Sequence, residues 1–269
     1  MNHLLQNEAA QVKERDRWFH SALAHENESL AKLPLHSFYG GVMIQPNAGC
    51  PTDLTKTASV NKKFDGGKWL CGASRLQAIA QEQSSSCIVY SLGCQFETSF
   101  EMYIQDMTEN GCEVHVYDPT MGPPEKVKQF KTDMAKDKIY LHEVAIKGTE
   151  GHSSIRIGGD TYNSMGLKTI MDENQHNCID ILKFDIEGAE YQILEDTKWD
   201  QLCIGMILFE VHGGLIESFH GSPYTVGDAV RHIRRLENAG FHHYKTEQVY
   251  VGGNGQAELA FVNYTWLGL

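Results

Sequence analysis

Acidic side chains fall at the ends of apolar runs in this sequence. Asp118 follows Cys112-Glu-Val-His-Val-Tyr117, Asp185 and Glu187 follow Ile179–Phe184, and Glu210 and His212 close the run from Ile204. A fourth run, Cys87-Ile-Val-Tyr-Ser91-Leu92, opens into Gly93-Cys-Gln95-Phe-Glu97. Short, nearly continuous apolar runs read as strands buried on both faces. Ligands of open parallel sheets bind beyond the carboxyl ends of the strands, so these residues are candidates to line one site. A strand end is often polar simply because the chain is leaving the core, and only the repetition on several strands gives the pattern functional weight.

The glycine at the first strand end lets a ligand approach the backbone, and the helix after it offers unpaired N–H groups. A dinucleotide site would carry Gly-x-Gly-x-x-Gly to seat a pyrophosphate. Here Gly93 stands alone and Glu97 is an acid that would repel one, though not a sulfonium with an amino-acid tail. Asp118 ends the second strand, where a carboxylate accepts hydrogen bonds from a ribose diol. A ribose-bearing cofactor without phosphates, S-adenosylmethionine, meets these conditions, and other sheet-edge ligands stay open on this pattern alone.

The elements that position these residues alternate. Strands are predicted at 87–92, 112–117, 138–146, 179–184 and 204–211. Helices are predicted at 75–82, through Phe100, Tyr103, Ile104 and Met107, at 189–196, and from a Thr225 cap through Val226, Ala229, Val230, Ile233 and Leu236. The end, 241–250 and 257–265 around Gly252-Gly-Asn-Gly255, reads as a hairpin. This gives an α/β class: a Rossmann-like, mostly parallel sheet with a C-terminal antiparallel hairpin. Residues 1–80 read as an N-terminal cap, a helix from about Leu5 to Leu30 and then turn-rich sequence, ahead of a main domain at 81–269.

Composition narrows the function classes. The chain has 269 residues, 41% of them hydrophobic, and a formal net charge of −12. No basic run exceeds Lys62-Lys63 or Arg234-Arg235, which argues against nucleic acid as a partner. No stretch approaches the ~20 apolar residues of a membrane span, and Met1-Asn-His-Leu-Leu lacks the features of a signal peptide; a leader or anchor preceding this numbering is left open. The seven cysteines include no Cys-x-x-Cys pair. Most sit in apolar runs and read as buried hydrophobes of a reducing compartment. Cys50 and Cys71 lie in loop-like sequence and would pair in a secretory lumen, so the compartment, cytoplasmic or lumenal, stays open. Cys112 and His115 have a zinc-like spacing, but a strand points them to opposite faces. Neither a Gly-x-Ser-x-Gly elbow nor a Walker loop is present.

Ile181-Leu-Lys183-Phe-Asp185-Ile-Glu187-Gly188-Ala-Glu190 resembles the Leu-Lys-x-Asp-x-Glu-Gly-x-Glu signature of FkbM-type methyltransferases, members of the class I S-adenosylmethionine-dependent fold. Val116-Tyr-Asp118-Pro119 is similar to that family's acidic-Pro element. Glu143-Val-Ala145-Ile and Ile207-Leu-Phe-Glu210-Val-His212 are similar to its third and fifth strand elements. Asp65-Gly-Gly-Lys-Trp-Leu-Cys71 and the segments 87–93 and 111–114 resemble more narrowly the animal methyltransferase-like protein 24 group. The family's first motif, Asp-x-Gly-x-Asn-x-Gly, reads Ser91-Leu-Gly93-Cys-Gln95-Phe-Glu97 here, with Ser for the leading Asp and Glu for the second Gly.

The resemblance implies methyl transfer from S-adenosylmethionine to a hydroxyl of a small molecule or glycan. Ser91, Gly93, Gln95, Glu97, Asp118, Pro119, Ala145 and Asp185 are the expected cofactor contacts. An attacking hydroxyl must lose a proton, and His212, Asp185 and Glu187 are the candidate catalytic residues, His212 having the ordinary pKa best suited to a general base. No metal is assigned, although Asp185, Glu187 and Glu210 offer the oxygens Mg²⁺ prefers. Transfer to nitrogen, or a ligand-binding protein that catalyses nothing, are the alternatives; an NAD-linked oxidoreductase is opposed by the absent glycine fingerprint.

Overall fold

The computed structural model describes residues 46–57, 67–82, 86–212, 226–249 and 256–269, together with Lys13 and Asp16. Apart from Lys13 and Asp16, both helical, the helix expected within 5–30 lies outside the described residues, as does the Thr225 cap. A hairpin of β1 (Leu54–Lys56) and β2 (Trp69–Cys71) leads into α1 (Ala73–Gln81). The main sheet contains β3 (Cys87–Leu92), β4 (Cys112–Tyr117), β5 (Ile139–His142), β9 (Ile179–Phe184), β10 (Ile204–His212), β11 (Phe241–Val249) and β12 (Gln256–Asn263).

The sheet order is β11-β12-β10-β9-β3-β4-β5. β3, β4, β5, β9 and β10 run parallel, and β12 runs antiparallel to both β10 and β11. The chain builds outward from β3 to β5 and then returns to add β9 and β10 on the other side of β3. That reversal makes the β3/β9 border the switch point, where the loops after the two strands part and leave a crevice.

Strand periodicity divides the core between two faces. Ile88, Tyr90 and Leu92 of β3 face one layer, with Ile170 and Met171 of α4 (Leu167–Glu173), Tyr191 and Ile193 of α5 (Glu190–Asp196), and Val230, Ile233 and Leu236 of α6 (Val226–Asn238). Cys87 and Val89 face the other layer. It holds Leu76 and Ile79 of α1, Phe100 and Ile104 of α2 (Ser99–Thr108), and Val127 of α3 (Pro124–Ala135), with Leu70 and Cys71 of β2 joining it. A short α7 (Tyr264–Leu267) closes the chain. Among the described residues, no helix is long and apolar enough to cross a membrane.

Three expectations are corrected. The strand expected at 138–146 is two: β5 leaves the sheet edge at Glu143, and β6 (Ala145–Lys147) pairs with β8 (Asp160–Gly166) in a separate three-stranded sheet, β6-β8-β7, with β7 at His152–Ile157. The β7–β8 hairpin was not foreseen because its strands are largely polar and exposed. Its turn is nonetheless encoded: Gly158 and Gly159 take φ of 58° and 99°, the pair of positive values a two-residue hairpin turn demands. Finally, six of the cysteines are cystines rather than free buried thiols. Cys50–Cys71, Cys87–Cys112 and Cys178–Cys203 are bonded, and buried Cys94 is free. The parallel registers Cys87↔Cys112 and Ile179↔Ile204 set the last two pairs side by side at strand starts, a proximity that spacing along the chain does not show.

Candidate active site

The crevice at the switch point is a cavity of about 280 Å³. The loops after β3, β4 and β9 form its floor, Ala145 and Ile146 of β6 form one wall, and Ile155, Arg156 and Ile157 of β7 overhang it. The small sheet that the sequence did not reveal thus supplies part of the enclosure.

Gly93 ends β3 with φ 78°, and a Cβ there would collide with the carbonyl oxygen of Asp185. Only glycine lets the β3 and β9 loops pack this closely. Gln95 and Phe96 come next with φ of 44° and 67°, a left-handed conformation that costs a non-glycine residue about 1–2 kcal/mol. Asp118 holds this turn in place. Its Oδ2 accepts the N–H groups of Cys94 at 3.0 Å and Gln95 at 2.9 Å, and its Oδ1 accepts the N–H and hydroxyl of Thr120, both at 2.8 Å. Four donors match the roughly four lone-pair positions of a carboxylate, so Asp118 clamps the loops after β3 and β4 together, and the expectation that its carboxylate accepts a ribose diol is corrected: its oxygens are already taken by the protein's own donors. Lys183 Nζ donates to the Gly93 carbonyl at 2.7 Å from below.

Beyond β9 the turn Asp185-Ile-Glu187-Gly188 is folded by Glu190, whose Oε1 accepts the Ile186 N–H at 2.9 Å and whose Oε2 accepts the Gly188 N–H at 2.7 Å. Glu187 (φ 56°) and Gly188 (φ 103°) are both left-handed. The last Glu of the signature therefore shapes the loop that presents the first two acids.

Of the expected site residues, Gly93, Gln95, Glu97, Asp118, Pro119, Ala145, Asp185 and Glu187 all line the cavity. Ser91 does not: it is fully buried and its hydroxyl donates to Glu101. Burial pushes the Glu101 carboxyl up, against the opposing pull of Lys183, so this pair braces β3 against α2 behind the loop. His212 ends β10, opposite Gln256 of β12; its side chain lies outside the described residues. The Cys94 thiol is pushed up to about 12 by burial and by neighbouring Glu101 and Asp118, which makes it a poor nucleophile.

The residue that sequence reasoning missed is Lys68. It is 2% exposed, and its Nζ donates to Glu258 and to Asp185 Oδ2 at 3.3 Å, with Glu210 Oε2 at 3.9 Å. Burial alone would lower the ammonium, but the charges of Glu258, Asp185 and Glu210 outweigh it and hold Lys68 above the ordinary lysine value. One ligand-capable atom each of Asp185, Glu210 and Glu258 falls within 4.8 Å of the others, and the cation among them comes from the chain itself. The hints in the sequence are a lysine directly before the apolar Trp69-Leu-Cys71 and its place in the segment 65–71 that carries part of the family resemblance, neither of which assigns it a partner.

A family model described as a methyltransferase domain matches residues 2–263. Probable methyltransferase-like protein 24 of Homo sapiens is 30% identical over 146 residues, covering 53% of this chain and 37% of that protein. The Rattus norvegicus counterpart is 30% identical over 148 residues, covering 54% and 38%. The match thus spans little more than a third of each relative. Among solved structures, a fibrillarin pre-rRNA processing protein of Methanococcus jannaschii is 11% identical at a TM-score of 0.40, covering 78% of this chain and 87% of its own. Aeropyrum pernix fibrillarin with bound S-adenosyl-L-methionine is 12% identical, also at 0.40, covering 78% and 88%.

S-adenosylmethionine is the methyl donor that goes with such a domain, and the residues present fit it. The cavity offers a single-glycine turn without a pyrophosphate cradle, the acid Glu97 for an ammonium or sulfonium, and the apolar side chains Ile146, Ile155 and Ile157 for a flat base. On the family match, which extends over nearly the whole sequence, the chain belongs to the methyltransferase-domain family.

Proposed function

We propose that this domain transfers the methyl group of S-adenosylmethionine to a hydroxyl of a small molecule or a sugar. The observation that carries the reading is Asp185, whose carboxylate lines the cavity on one side and is held by the buried Lys68 ammonium on the other. When bound, the donor supplies a sulfonium methyl already activated for displacement, so the protein's tasks are positioning, exclusion of water and removal of the acceptor's proton. The Gly93–Glu97 turn and the Asp118–Thr120 segment hold the donor's two ends. The β7 residues Ile155–Ile157 screen it from water. Lys68 holds the Asp185 carboxylate in place at the cavity edge, where it takes the proton of the acceptor hydroxyl. Glu187, on the same loop, orients the acceptor through a further hydrogen bond. His212 is the second candidate base, placed two residues beyond Glu210 on β10.

Three disulfides support an oxidising compartment such as the secretory lumen, because cytosolic thiols are kept reduced. The acceptors to be tried first are therefore hydroxyl compounds and glycans of that compartment.

The test is methyl transfer from isotopically labelled donor to matched panels of hydroxyl, amine and RNA acceptors, with wild type and Asp185→Asn. The reading predicts label on a hydroxyl oxygen and a loss of about 100-fold or more in kcat for Asp185→Asn, the scale of a lost general base. Label on nitrogen or RNA, or full activity in Asp185→Asn, would overturn it.

A further inference from the structure

Away from the cavity, on the sheet face that carries Tyr90, two imidazoles and a carboxylate converge. Glu113 and His115 stand two apart on β4 and share one face of it. His176 comes from the segment between α4 and β9. One ligand-capable atom of each lies within 4.8 Å of the other two. His115 Nε2 is 3.8 Å from Glu113 Oε2, and the His115 and His176 rings meet edge to face at 4.9 Å between centroids.

Three features distinguish this cluster from an ordinary polar edge. His115 is 8% exposed, and its Nε2 is buried with no hydrogen-bond partner among the described residues. A buried polar atom in that state lacks the partner that native structures nearly always provide. Both rings are also braced from behind: His115 Nδ1 lies 3.1 Å from His142 Nε2, and His176 Nδ1 lies 2.8 Å from the Tyr90 hydroxyl. Metal-ligating histidines are oriented in this way, by a partner on the nitrogen that does not ligate. Finally, Glu113 is exposed and His176 half-buried, so an ion has a way in.

Two imidazole nitrogens and one carboxylate oxygen are a donor set that suits zinc, with a fourth position left for water. Tetrahedral bonds of ~2.0–2.1 Å set ligand atoms about 3.3–3.4 Å apart. The 3.8 Å separation of His115 and Glu113 therefore closes by a small swing of the exposed Glu113 side chain. We propose that Glu113, His115 and His176 bind one Zn²⁺, which ties the middle of β4 to the segment entering β9. The site is independent of the methyl-donor cavity and of the chemistry assigned to it.

The experiment uses the full chain with its disulfides intact and without a histidine tag, stripped with EDTA and dialysed. ZnCl₂ is titrated in competition with a chromogenic zinc chelator, and CoCl₂ is added in a parallel sample. The expected result is one zinc per chain, with the visible absorption of four-coordinate Co²⁺. Glu113→Gln changes an exposed side chain and should leave the melting of the metal-free protein unchanged, whereas His176→Ala also gives up the hydrogen bond to Tyr90 and lowers it; each should weaken zinc by about tenfold or more. Stripped wild type that takes no zinc from the chelator would overturn the proposal. So would zinc bound equally well by both variants, which would move the ion to another set such as the Asp185–Glu210–Glu258 carboxylates.

Discussion

Replacing Lys68 with Met keeps most of the side chain's length and removes its charge. Glu258 and Glu210 are almost fully buried and Asp185 partly so; without Lys68 these carboxylates lose the cation between them. Breaking a buried ion pair by deleting one partner costs about 3–5 kcal/mol. With a urea m-value of about 3 kcal/mol/M, the unfolding midpoint should fall by roughly 1–1.7 M at pH 8. The sign of the pH dependence comes from the same charges. Lys68 sits above its ordinary value in the folded state, so its contribution is complete below the unfolded lysine pKa of ~10.4 and is lost only as pH rises through the raised folded value. Glu258 is raised by burial and held back by Lys68, and removing the lysine raises it further. A raised carboxyl adds stability below its unfolded pKa of ~4.3, and that stability fades as pH climbs through the folded value. The deficit of Lys68→Met should therefore be largest near pH 8 and narrow toward pH 5. Urea denaturation monitored by tryptophan fluorescence at both pH values reads this directly. A variant within 1 kcal/mol of wild type at pH 8, or a deficit that does not change with pH, would refute the reasoning.

Other perturbations test other parts of the account. Asp118→Ala removes the acceptor of four hydrogen bonds, two of which join the loops after β3 and β4 and two of which fold the β4 loop itself, so its affinity for S-adenosylhomocysteine should fall at least tenfold in calorimetry; unchanged affinity would remove Asp118 from the cofactor site. The double variant Cys178→Ala/Cys203→Ala opens a link across 25 residues. Chain entropy assigns such a loop about 3.5 kcal/mol, so its melting temperature under non-reducing conditions should drop by several degrees, whereas an unaltered melt would show that the link adds nothing. Leu76→Ala, in the fully buried layer beneath α1, should cost about 2–5 kcal/mol in urea without altering cofactor affinity in the folded fraction.

The parts of this molecule that were legible in the sequence are those whose signal is local. Cys87–Leu92 and Ile204–Phe209 are apolar almost without interruption, and such runs have few fates other than a two-sided parallel sheet; Ile179–Phe184, interrupted by Asp180 and Lys183, was placed by the signature that follows it. The 181–190 signature announced its loop because the acids, the left-handed Gly188 and the folding Glu190 all lie within one short stretch of chain. Lys68 was illegible because the carboxylates that make its burial tolerable lie 117 and 190 residues away in Asp185 and Glu258. The pairing of Cys50 with Cys71 was raised by their loop-like sequence, but Cys87–Cys112 and Cys178–Cys203 were illegible for the same reason as Lys68, being brought together by strand register. At β4, Cys112 and His115 face apart as the strand period requires, while Glu113 and His115 face together, and His176 joins them from 61 positions on, a distance no local pattern bridges. The β7–β8 hairpin carried one plain sign, Gly158-Gly159, in a segment whose polar strands gave no hydrophobic period.

We place S-adenosylmethionine at the turn around Gly93, which packs against the Asp185 backbone. The most direct measurement is isothermal titration of S-adenosylhomocysteine into the disulfide-intact chain, beside Gly93→Ala. One molecule should bind per wild-type chain, with no measurable heat of binding in Gly93→Ala, whose added methyl meets the Asp185 carbonyl. Wild type that gives no heat, or Gly93→Ala that binds as tightly as wild type, would contradict this placement.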